Sequence, residues 1–221
     1  KNFGEATVLA LDGNTSTGGD IGVYTTENVA AGSGITYSGT GLTIEVLSVD
    51  SNGRAFNIDV KEGGEGYVVG AIKTLTITNG GTGYSVGTDK EVVNLNSLGQ
   101  EAVINITSVS GGGVSGPISG VSLDNLGAER GFNYKVGDTL RPKNLGDNNA
   151  ILTVTAIESS RVRMPNFGSS ANNFVLVSEV KGLGTKPAIK LGHFNAPTFY
   201  EDTYKSLSGS ISKLIKDESP K

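Results

Sequence analysis

Gly64-Glu65-Gly66-Tyr67-Val68-Val69-Gly70, Gly81-Thr82-Gly83-Tyr84-Ser85-Val86-Gly87 and Gly131-Phe132-Asn133-Tyr134-Lys135-Val136-Gly137 are three copies of one phrase, G-x-[GN]-Y-x-V-G. Each copy stands beside β-like segments, so one small structural unit is being reused. The glycines (Gly64, Gly66, Gly70; Gly81, Gly83, Gly87; Gly131, Gly137) permit left-handed or sharply bent backbone that other residues resist. Tyr67, Tyr84 and Tyr134 are expected to lay their rings over the bend, with the hydroxyl aimed at solvent or a backbone group. The valine two places further on is expected to open the next strand. Each phrase then reads as a rigid corner between strands. The functional alternative is an exposed aromatic platform for a sugar ring, built from the same three tyrosines.

The flanking pattern is that of strands. Leu42, Ile44 and Val46 alternate with Thr43 and Glu45, the period-two mark of a half-buried strand. The phase slips at Val46-Leu47, as a β-bulge would make it do. Asp50-Ser51-Asn52-Gly53 is a turn, and Phe56, Ile58 and Val60 form the return strand. A shorter echo, Lys73 to Gly87, carries the second phrase, and a longer copy begins at Ala102 and ends at the third. Ile151 to Ile157 opens a fourth, incomplete copy. The tyrosines are spaced 17 and then 50 residues apart, too irregular for a regular solenoid. The fold expected is mainly β, with antiparallel hairpin repeats forming a sandwich or partly open barrel. Residues 1–41 are an N-terminal strand with a Gly/Thr-rich loop, 42–160 the repeat domain, 161–197 a β extension and 198–221 a docking helix.

That C-terminal α-helix is the one helix expected. Thr198 and Glu201 make a capping box. Tyr200, Tyr204, Leu207, Ile211 and Leu214 then recur at spacings of 4, 3, 4 and 3, which places them on one apolar stripe. So short a helix is marginal in water and needs a partner surface, so these five residues are the expected assembly interface.

Composition narrows the function classes. The 221 residues include 33 Gly, no Cys and no Trp, and the net charge is -4. Disulfides and thiolate metal sites are therefore out, and without a basic face nucleic acid is not an expected partner. No run of about 18 apolar residues suggests a membrane span. With Lys1 first and Met164 the sole methionine, the translation start is expected to lie upstream. His193, the single histidine, has no partner histidine for a zinc site, and no G-x-S-x-G elbow supplies a nucleophile. The loops holding Asp50, Asp138 and Asp147 do not follow the spacing of a calcium loop and read as Asx turns. No cofactor, metal site or enzymatic activity is expected.

Strand, Asn-Gly or Gly-Gly turn, strand, then the glycine-tyrosine phrase resembles the Gly-Tyr repeats of structural proteins in tailed-bacteriophage virions. It is carried best by Lys73–Gly87 and Ala102–Asp138. The resemblance implies a non-enzymatic virion component of the tail, baseplate or fibre. Its partners would be copies of itself and other virion proteins, joined through β edges and the C-terminal helix. A capsid decoration protein is the alternative within a virion. A carbohydrate- or receptor-binding module on a phage fibre or bacterial surface, with a surface glycan as partner, is the alternative outside that role.

Overall fold

The computed structural model describes residues 4–13, 16–169 and 173–181. These are mainly β and antiparallel throughout. In chain order the strands are β1 (Glu5–Leu11), β2 (Gly22–Thr25), β3 (Glu27–Val29), β4 (Thr40–Val49), β5 (Ala55–Glu65), β6 (Ala71–Asn79) and β7 (Gly87–Asn94). They continue with β8 (Gln100–Val109), β9 (Ile118–Leu123), β10 (Arg130–Phe132), β11 (Thr139–Pro142), β12 (Ile151–Glu158), β13 (Arg161–Arg163) and β14 (Phe174–Lys181). A single 3₁₀ turn, Gly127–Glu129, interrupts them among the described residues. The C-terminal helix expected from Thr198 onward lies outside the described residues, as does His193.

The strands enclose two main cores. In the first, the sheet β2-β4-β5 and the sheet β1-β14-β13-β3 share Leu42, Ile44 and Val46 with Val162, Met164, Phe167, Val175 and Val177. Residues 22–29 serve both sheets, since β2 pairs with β4 and β3 pairs with β13. At the other margin the chain just before β1 meets the chain just after β5 in a two-bond bridge between Gly4 and Tyr67. The register of β4 on β5 slips at Val46/Ser48 and Ser48/Val49, the irregularity expected at Val46-Leu47. Phe56 departs from expectation. The bulge turns it outward and leaves it 76% exposed, while Ile58 and Val60 face the core.

The second core holds Ile72, Ile104, Ile106, Leu140, Leu152 and Val154. Its strands run β10-β8-β7-β11-β12-β6, with β9 beside β10 on the same edge of β8. The sheet curls until β6 returns to β9 and β10, making a nearly closed barrel. The seam is stitched without a regular ladder. Ile118 N–H donates to the Gly80 carbonyl at 2.7 Å. The buried guanidinium of Arg130 donates to the carbonyls of Ile72 and Lys73 at 3.3 Å each, and to that of Asp124 at 3.0 Å. A buried cation is tolerable here because several carbonyl oxygens receive its protons.

The chain crosses between the cores at Val68–Gly70 and returns at Ser159–Ser160. The crossings are bonded to each other. Val68 N–H donates to Ser160 Oγ and Ser160 N–H to the Val68 carbonyl, both at 2.8 Å. Ser160 is fully buried, so its hydroxyl satisfies an amide that would otherwise be stranded. A third, small cluster of Ala31, Tyr37, Val68, Ala71 and Phe132 fills the same region.

Candidate functional site

The three phrases build three tyrosine locks of one design. Their first and third residues are left-handed: Gly64 and Gly66 at φ 59° and 82°, Gly81 and Gly83 at 61° and 74°, Gly131 and Asn133 at 66° and 59°. Asn133 replaces glycine because asparagine tolerates that region better than other non-glycine residues. The double reversal swings the tyrosine under the strand, and Tyr67, Tyr84 and Tyr134 are each only 1% exposed. Each ring packs closely against a glycine, where backbone has no side chain. A Cβ at Gly39 would clash with the Tyr67 ring, and one at Gly99 with the Tyr134 ring. One at Gly146 would stand 2.6 Å from Tyr84.

The polar ends are repeated as well. The Leu42 amide donates to the Tyr67 hydroxyl at 3.4 Å and the Ala150 amide to that of Tyr84 at 3.3 Å. The Ala102 amide faces the Tyr134 hydroxyl in the same way, but the pair falls short of a regular hydrogen bond. Leu42, Ala102 and Ala150 each lead a strand with apolar residues at alternate positions: Leu42-Ile44-Val46, Ala102-Ile104-Ile106 and Ala150-Leu152-Val154, all buried. Each tyrosine amide also donates to a glycine carbonyl: Tyr67 to Gly4, Tyr84 to Gly116 and Tyr134 to Gly70. Burial raises the phenol of Tyr67, and pushes that of Tyr134 up to about 12.

These locks correct three expectations. Buried rings cannot stack on a sugar, so the aromatic platform and the glycan partner it implied are removed. The phrase valines do not open strands. Val86 and Val136 are 62% exposed, and the following strands begin at Ala71, Gly87 and Thr139. The incomplete copy at Ile151–Ile157 is no separate unit, because β12 pairs along β6 and completes the lock of Tyr84. Gly70 and Gly137 are also left-handed, whereas Gly87 is not and simply begins β7. The expected interface residues Tyr200, Tyr204, Leu207, Ile211 and Leu214 lie outside the described residues.

The loop carboxylates serve the turns. Asp50 accepts from the amides of Arg54 and Asn52 and from the Arg54 guanidinium, which hold it below the ordinary carboxylate range. Burial alone would raise Asp138, but donation from Ser97, the Lys135 amide and Asn94 outweighs it and lowers the group. Asp147 is likewise lowered despite desolvation, by the Thr82 hydroxyl and amide and the Asn149 amide. It thereby clips the lead-in loop of β12 to the second phrase. Asp89, Asp124 and Glu129 place carboxylate oxygens within 4.8 Å of one another.

A groove opens where the chain crosses between the cores. Two depressions of about 620 and 670 Å³ meet at Val69 and Ile157. Asn96, Leu98, Asn133 and Lys135 flank one, and Lys73, Glu158, Arg161 and Leu176 the other. Sequence reading missed this groove, Arg130 and the ring-bearing glycines. The last had a signal: Gly39, Gly99 and Gly146 precede the lock strands' first apolar residue by 3, 3 and 4 positions.

The class these features define is an antiparallel β protein with a triplicated glycine-tyrosine lock. Compared with protein-family models, curated proteins and solved structures, the chain gives no match.

Proposed function

We propose that this chain is a non-enzymatic structural component of a tailed-phage virion, in the tail, baseplate or fibre region, with capsid decoration as the second placement. One observation carries the reading. The reused motif is consumed in architecture, with all three rings buried and each ring seated on a glycine backbone. Rigid β modules of this kind suit load-bearing assembly more than turnover. Neighbouring copies and other virion proteins are the partners, engaged through the stripe Tyr200, Tyr204, Leu207, Ile211 and Leu214. Light scattering after size exclusion tests the assembly. The full chain is expected to be oligomeric, and a Leu207→Glu/Ile211→Glu variant to shift to monomer. Mass spectrometry of density-purified particles from the source tests the placement. The chain should appear at a fixed ratio to the other structural proteins, and its absence from particles removes the virion role.

A further inference from the structure

Two Asn-Gly pairs stand in this chain, Asn52-Gly53 and Asn79-Gly80, and the fold treats them differently. Asparagine before glycine is prone to cyclise, because no side chain shields the next amide nitrogen. The reaction needs that nitrogen able to lose its proton and the asparagine Cγ held close to it. At Asn52 the nitrogen is already committed. Gly53 N–H donates to the Asp50 carbonyl at 2.9 Å, closing the turn between β4 and β5. The Asn52 amide donates to Asp50 Oδ1 at 2.8 Å, and the Asn52 carbonyl accepts from Gly18 at 2.8 Å. The turn is thus fixed from both sides.

Asn79 meets both requirements. It is the exposed last residue of β6, and among the described residues Gly80 N–H has no hydrogen-bond acceptor. Asn79 Oδ1 accepts from the Gly81 amide at 3.0 Å, an Asx turn that folds the side chain back along the Gly80 peptide. That bond strengthens as Oδ1 gains negative charge during attack, in the manner of an oxyanion hole. We propose that Asn79-Gly80 is a self-modification site, where the chain deamidates through a succinimide and so loosens the barrel seam. The Gly80 nitrogen gives its proton to hydroxide and bonds to Asn79 Cγ. The Cγ–Nδ2 bond breaks, and ammonia leaves with a proton taken from water. A second water then opens the ring. Cleavage of the new Cγ–N bond gives aspartate. Cleavage of the original peptide C–N bond gives isoaspartate, whose main chain carries one extra carbon.

The seam has no slack for that carbon. The Gly80 carbonyl accepts the Ile118 amide at 2.7 Å, joining the start of β9 to the end of β6. At Gly81 a Cβ would stand 2.3 Å from Asn149 Oδ1 and 2.7 Å from the Ala150 nitrogen. The inference does not depend on the virion reading.

Ageing the full chain in mildly alkaline buffer, followed by tryptic peptide mapping, tests it. Cleavage after Lys73 and Lys90 releases a peptide whose only asparagine is Asn79. Mass spectrometry should show deamidation there at least ~tenfold faster than at Asn52. Isoaspartate methyltransferase should label the same peptide. Asn79→Gln, whose longer side chain cyclises slowly, should lose both signals. Amide exchange at Ile118 should quicken in the aged chain. It should stay slow in Asn79→Asp, which has the new charge on an ordinary main chain. No deamidation in that peptide, or deamidation at Asn52 as fast, overturns the proposal. So does unchanged Ile118 exchange in the isoaspartate fraction, or equally quick exchange in Asn79→Asp.

Discussion

The first and second locks share a geometry but not a connection. Tyr67 meets Leu42 across 25 residues, through the β4–β5 hairpin, and its strands are sequence neighbours. Tyr84 meets Ala150 across 66 residues, and its partner strand β12 arrives after β7 to β11 have been threaded. The longer closure costs only about 1 kcal/mol more in chain entropy, since each doubling of a loop adds ~0.6 kcal/mol. Burying an aromatic ring is worth several times that, which is why the same lock forms either way. The phrase therefore specifies a joint and leaves open which strand fills it. The second lock adds one device the first lacks, the Asp147–Thr82 clip holding the distant strand's loop.

The strongest way to break both locks is to fill the glycine seats. Gly39→Val and Gly146→Val each force a side chain against a ring that cannot retreat, and should cost about 3 kcal/mol or more. Gly113→Ala, in an open turn, should be near neutral by urea unfolding. Arg130→Met should follow at about 2–3 kcal/mol, because it strands carbonyls at the barrel seam. Amide exchange should then accelerate in the β6–β9–β10 region while the first lock stays protected.

Removing hydroxyls sharpens the comparison. Tyr67→Phe and Tyr84→Phe should each cost about 1 kcal/mol, and Tyr134→Phe should be neutral or slightly stabilising, since its hydroxyl lacks a regular bond. The same residue gives a pH prediction. Folding raises the Tyr134 phenol from about 10 to about 12, so its contribution is complete below pH 10 and declines as pH rises toward 12. Alkaline unfolding of Tyr134→Phe should be correspondingly shallower. The smallest effect belongs to Asp147→Asn, which should speed exchange at Tyr84 and Gly116 but not at Tyr67.

Much of the fold was legible because its signals are local. The alternation in Leu42-Thr43-Ile44-Glu45-Val46, the slip at Leu47 and the turn at Gly53 each depend on neighbouring residues. Phe56 misled because a bulge reverses facing without altering composition. The tyrosines were recognisable as corner residues, but their burial was not, since the ring's seat is a glycine 28 or more residues away in sequence. The groove was illegible for the same reason. Lys73, Lys135 and Ile157 are ordinary residues until the two crossings bring them together.

By itself the sequence determined an antiparallel β chain with three left-handed joints, because φ preferences and period-two burial act over a few residues. Tertiary structure alone decided that β12 completes the lock begun by β6, that Arg130 closes the barrel seam, and that the tyrosines face inward. Those outcomes rest on packing between distant segments, whose energies depend on shapes meeting in space more than on local residue order.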